Sequence, residues 1–143
     1  MGISAFLIGG GILALDQGLK ARAEKHPGEF KEVVFNRGFA GGKFSDRPHL
    51  VRNAALLSNA LSLFMFITQE DKSDIGKLKK AGFMALSMGG LSNTLDRVRK
   101  QYVVDYIPKG KYVYNIGDFS VAAGAVMIFL AAAAETLNKE RRD

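Results

Sequence analysis

Apolar residues concentrate in four stretches of the chain, and charged residues gather between them. The first stretch covers residues 1–15 and is interrupted by Asp16 and Lys20; the second, residues 50–68, carries Arg52 as its single charge. Counted through those interruptions, the first is, like the second, about one bilayer long. The third and fourth, residues 81–95 and 119–134, fall short of the roughly 20 residues a spanning helix needs. Both have polar residues at one end. If those ends continue the helix into a site shielded by protein, the third reaches Arg97 or beyond and the fourth begins near Val113, which restores a spanning length.

The segments between the helices read differently. His26-Pro-Gly breaks the first helical pattern, residues 29–35 read as a strand, and Asn36-Arg37-Gly38 is a turn signal. Residues 69–80 form a charged connector of both signs. Residues 102–107 are a second β-like run that ends at Pro108, and with residues 112–114 they are expected to form a hairpin. The polar tail from Glu135 closes the last helix and then frays. The first stretch does not read as a cleavable leader. No Lys or Arg precedes it, and Asp16 and Lys20 stand where a small-residue cleavage site belongs, so a retained helix is expected. Gly9-Gly10-Gly11 is read as a close helix contact.

Length sets the organisation: 143 residues suit one domain covering residues 1–143. Hydrophobic residues make up 48% and charged residues 24%, a balance that leaves the compartment open. With no Cys and only His26 and His49 as nitrogen ligands, no metal site and no cofactor are expected, and both His are read as solvated loop residues. The net charge of +6 suits either nucleic acid or an anionic lipid surface.

Ionisable residues inside or at the rim of apolar helices are more informative, because burying an unpaired charge costs at least ~2.5 kcal/mol. Asp16 and Lys20 lie four apart on one helical face and are able to neutralise each other, as a rim pair where the helix leaves the membrane. Asn93, Asp96 and Arg97 make one polar face, and Asn115 and Asp118 repeat the i, i+3 placement. The economical arrangement points all three faces at a shared site, with Asn36 and Asp105 projecting from the irregular segments. The carboxylates divide by their neighbours. Asp16 has Lys20 and Asp96 has Arg97, whereas Asp105 and Asp118 have no basic residue within three positions. Two such aspartates brought together share a proton, one acting as acid and the other as base, which is the chemistry of an aspartic protease pair. Asp118 is also placed to cap the fourth helix.

At these residues the sequence resembles the lipoprotein signal peptidases (signal peptidase II). Asp16-Gln-Gly-Leu-Lys20 is similar to the family's Asp-x-x-x-Lys, and Asn36-Arg-Gly38-Phe-Ala40 to its Asn-x-Gly-x-Ala box. Gly89-Gly-Leu-Ser-Asn93-Thr-Leu-Asp96-Arg97, then Val103-Val-Asp105-Tyr106 and Tyr114-Asn115-Ile-Gly-Asp118, resemble three further signatures in the family's order. Gln101, Gly41 and Gly117 depart from the family's usual glycine, aromatic and alanine. The resemblance implies a mainly α membrane fold, a four-transmembrane-helix bundle with a small extracytoplasmic β-cradle. It implies an aspartic endopeptidase that removes the signal peptide of a diacylglyceryl-modified prolipoprotein, cutting before the lipidated cysteine. Carried over by position, Asp105 and Asp118 are catalytic; Asn36, Gly38, Asn93, Arg97 and Asn115 bind or orient; Asp16, Lys20 and Asp96 are structural polar contacts.

The expected partners are the lipid-modified substrate and the bilayer, not nucleic acid, with the chain acting as a monomer. The expected location is the bacterial cytoplasmic membrane, multi-pass, with the site near the extracytoplasmic surface. That topology puts residues 20–52 and 97–111, which are rich in Lys and Arg, outside, against the positive-inside bias. Two alternatives remain: a catalytically silent binder of lipidated peptides, which binds without turnover, and a basic membrane-surface adaptor, whose binding is salt-sensitive and indifferent to Asp105 and Asp118.

Overall fold

A computed structural model describes residues 3–141. Four helices dominate it: α1 (Ile3–Lys25), α2 (Pro48–Thr68), α3 (Asp74–Lys100) and α4 (Ile116–Glu140). Four three-residue strands lie among them: β1 (Val34–Asn36), β2 (Val103–Asp105), β3 (Ile107–Lys109) and β4 (Tyr112–Tyr114). Two of the helices, α2 and α4, are long and apolar enough to cross a membrane. Their large side chains face outward, with Leu57 73% and Phe129 71% exposed, while Asp16, Lys20, Asp96 and Asn115 are fully or almost fully buried. A soluble fold does the opposite, so this outward apolar surface needs another phase to cover it.

Helix α3 is the central element, packed against α1, α2 and α4. Glycines set its distance from α4. A Cβ on Gly82 would lie 2.8 Å from the Gly124 carbonyl oxygen, and one on Gly117 would lie 2.9 Å from that of Gly89. On each helix the two glycines are seven residues apart, so both crossings fall on the same faces. At the Gly9-Gly10-Gly11 run the contact narrows to Gly9, which faces Met84 and Met88; nothing lies near the other two.

The expected connector at residues 69–80 is mostly helix, a correction with a local cause. Ser73 caps α3 by accepting a bond from the Gly76 amide at 3.0 Å, and Asp74 sits in the favourable first turn. Lys77, Lys79 and Lys80 are accommodated by pairing with Asp74, Glu135 and Asp71.

The hairpin is also displaced. Gly110, at φ +64°, closes a two-residue turn that pairs Lys109 with Tyr112 and Ile107 with Tyr114. That register leaves residues 103–105 beyond the hairpin, and they pair instead with β1, placing Val34 opposite Asp105. The expected strand at 29–35 is correspondingly short: Pro27 starts a 3-10 turn over Pro27–Glu29, and pairing begins at Val34.

Candidate active site

Asp105 ends β2 and Asp118 lies in the first turn of α4, so a strand and a helix each deliver one carboxylate to the same cleft of about 560 Å³. Asparagine side chains fix both. Asn115 caps α4: its Oδ1 accepts from the Asp118 amide at 2.8 Å, and its own amide donates to Asp118 Oδ2 at 3.1 Å. The cap leaves Asn115 Nδ2 free to donate to Asp105 Oδ1 at 2.7 Å. Asn36 Nδ2 donates to the other Asp105 oxygen at 3.2 Å, with its Oδ1 held by the Gly38 amide at 3.0 Å. Asn93 Nδ2 donates to Asp118 Oδ1 at 2.8 Å.

The two carboxylates feel each other. Burial, and then the charge of Asp118, push Asp105 up to about 6 against the opposing bonds from Asn36 and Asn115. Such a group is poised to hold or release a proton near neutrality.

Beneath the cleft lies a buried polar knot. Lys20 Nζ stands 2.9 Å from Asp16 and 3.4 Å from Asp96, and donates to Asn93 Oδ1 at 2.7 Å. Lys20 therefore dictates which end of the Asn93 amide faces Asp118: the oxygen turns to the ammonium and the NH₂ to the carboxylate. Two expectations are corrected here. Asp16 and Lys20 are not a rim pair, because neither side chain has any exposure. Asp96 pairs with Lys20 and with Lys100 at 3.5 Å rather than with Arg97, since adjacent residues on a helix point in different directions. Arg97 turns to the cleft instead, where it donates to the Gly38 carbonyl at 3.0 Å and lies 5.5 Å from the centre of the Phe39 ring. Gly38 is confined: a Cβ there would collide with the backbone of Gly42 and Lys43.

The other polar members of this knot, Ser92, Gln17 and Tyr106, were not anticipated. Ser92 donates to Asp16 at 2.5 Å and accepts from Lys20 at 3.0 Å and Gln17 at 2.9 Å. Its signal was present, because Ser92 is four residues before Asp96 and shares that polar face. Tyr106 donates to Asp16 at 2.7 Å and accepts from the Ile116 amide at 3.3 Å. No local pattern announces that contact. Among the described residues, no three His, Cys, Asp or Glu side chains are grouped as a metal site.

Residues 8–134 match the family profile described as Signal peptidase (SPase) II. The chain belongs to the signal peptidase II family. It is 28% identical over 114 residues to the lipoprotein signal peptidase of Clostridium tetani (strain Massachusetts / E88), covering 75% of this chain and 70% of that one. With the lipoprotein signal peptidase of Clostridioides difficile (strain 630) it shares 32% identity over 98 residues, covering 66% of this chain and 64% of the relative. With that of Caldicellulosiruptor bescii it shares 30% over 122 residues, 80% of each chain. The alignment thus spans a little under two thirds of the Clostridioides difficile protein's length. The fold is similar to two solved bacterial membrane enzymes. One has a TM-score of 0.82 at 23% identity, covering 95% of this chain and 91% of the other. The second has a TM-score of 0.72 at 22% identity, covering 90% and 92%.

For this signal peptidase II family member, every block that carried the resemblance lies inside the matched region. The blocks from Asp16 to Asp118 lie on or next to α1, β1, α3, β2 and α4, and the fold collects them at one end of the helices. The Gly117 departure also acquires a physical reason, since a larger residue there would press on the Gly89 carbonyl.

Proposed function

We propose that this chain is an aspartic endopeptidase that removes the signal peptide from diacylglyceryl-modified prolipoproteins, cutting before the lipid-bearing cysteine. Asp105 and Asp118 are its catalytic pair. The observation that carries this reading is the convergence of those two carboxylates on one cleft, each oxygen held by an amide donor and Asp105 pushed up to about 6. Asp105 carries the shared proton and Asp118 is the base. Asp118 takes a proton from water as the water oxygen attacks the scissile carbonyl, and Asp105 gives its proton to the carbonyl oxygen. As the tetrahedral intermediate collapses, Asp118 passes its proton to the departing amine, the C–N bond breaks, and Asp105 takes back a proton from the hydroxyl that becomes the new carbonyl. Asn36, Asn93, Arg97 and Asn115 hold the pair and line the cleft, Gly38 shapes the turn beside it, and Asp16, Lys20 and Asp96 support it from below.

In the same reading the chain is a single domain of four spans in the bacterial cytoplasmic membrane, acting as a monomer, with the site near the extracytoplasmic surface. Helix α3 needs little apolar surface because the other three surround it, and the charges of α1 are inside the bundle or at its end. The test is cleavage of a lipidated precursor by the purified chain beside its Asp118→Asn variant. Wild type cleaves before the lipidated cysteine and the folded variant does not. Binding without turnover by wild type would favour the silent binder instead.

A further inference from the structure

The charge of this protein is concentrated at the end of the bundle that bears the site. Residues 20–52 and 97–111 hold 13 of the 20 Lys and Arg but five of the 14 Asp and Glu, a net of +8, while the rest of the chain sums to −2. Lys31, Arg37, Lys43, Lys109 and Lys111 are exposed there, and none makes an ion pair among the described residues. Like charges gathered without acidic partners repel one another, so the fold alone does not account for them.

Aromatic rings lie in or just beyond these segments. Phe35, Phe44, Tyr112 and Phe119 are all substantially exposed. Lys109 lies 5.9 Å from the Phe119 ring centre and Lys111 5.1 Å from that of Tyr112. Phe44, at φ +60° in a backbone region that bulky residues seldom adopt, has its carbonyl bonded by the Arg47 amide and is itself 55% exposed. Cations mixed with exposed aromatic rings, at the end of helices whose outer faces are apolar, match the chemistry of a bilayer's headgroup layer. Neither an acidic protein nor nucleic acid would explain the continuity with those apolar helix faces.

We propose that this basic, aromatic collar binds the headgroups of anionic phospholipids and seats the mouth of the cleft in the headgroup layer. Each Lys or Arg close to an anionic surface strengthens binding about fivefold. The proposal does not depend on the peptidase reading, and its test uses no turnover.

The full chain, reconstituted in vesicles, is probed with spin-labelled phosphatidylglycerol and phosphatidylcholine, and the relative association of the two is read from the motionally restricted fraction. Wild type is expected to favour phosphatidylglycerol about fivefold or more, with the preference falling as NaCl is raised. The Arg37→Gln/Lys109→Gln/Lys111→Gln variant should lose most of that preference while its association with phosphatidylcholine, which reports an intact fold, is unchanged. Lys72→Gln/Lys139→Gln, at the opposite end, should keep the preference. Equal association of both lipids in wild type, retention of the preference in the triple variant, or its loss in the opposite-end variant would each overturn the proposal.

Discussion

Asn115 donates its side-chain amide to Asp105 at 2.7 Å while its carbonyl oxygen caps the backbone of Asp118 at 2.8 Å. One residue thus ties the end of β2 to the start of α4 and fixes how the two carboxylates face each other. Asn115 is fully buried, so neither bond is traded for water at low cost.

Asn115→Ser separates these two roles. Serine caps a helix about as well as asparagine, so the cap is kept and the stability lost, roughly 1.5–3 kcal/mol, reflects the missing bond to Asp105. It does not replace the donor to Asp105, and loss of a hydrogen bond to a charged group should lower kcat roughly 10- to 100-fold with little change in KM. Kinetics on a lipidated precursor beside thermal unfolding in detergent check both parts. An unchanged kcat would remove Asn115 from the site.

Asp105 makes stability depend on pH with a definite sign. Its carboxyl lies at about 6 in the folded chain against 3.8 as the ordinary value, so the folded state binds the proton more tightly. The stabilisation is complete below about 3.8 and lost as pH rises through about 6, a difference of about 3 kcal/mol. Asp105→Asn does not titrate. Relative to wild type it should therefore gain stability between pH 4 and pH 8, and parallel unfolding curves at the two pH values would contradict the assignment.

The paired glycines of α3 and α4 predict a positional contrast. Gly89→Leu drives a side chain into the Gly117 backbone and should cost about 3 kcal/mol or more. Gly10→Ala meets nothing within 4 Å and should change stability by no more than about 0.5 kcal/mol. Thermal unfolding of the two variants side by side measures the contrast.

Much of the site was legible because helical periodicity fixes which neighbours share a face. Asp16 with Lys20, Asn93 with Asp96, and Asn115 with Asp118 follow from spacings of three and four alone. What that rule does not reach is the choice of partner across elements. Asp96 pairs with Lys20 rather than with the adjacent Arg97, and Tyr106 finds Asp16 from another part of the chain. The pairing of Val34 with Asp105 joins distant segments, so the local pattern at 102–107 pointed to the nearer hairpin. Helix α3 began earlier than its apolar stretch because a Ser73 cap and charged pairs extend a helix that hydropathy alone truncates. Hydropathy gave the amount of apolar surface; only the fold shows it facing outward.

The central claim is that Asp105 and Asp118 act as one unit. Single-turnover cleavage of a lipidated precursor by Asp105→Asn, Asp118→Asn and the double variant, each confirmed as folded, tests it most directly. Each single change should lower the rate by about 10³-fold or more, and the double variant should be no slower than the worse single. Substantial cleavage by either single variant, or losses that multiply in the double, would show that the two carboxylates do not share one proton.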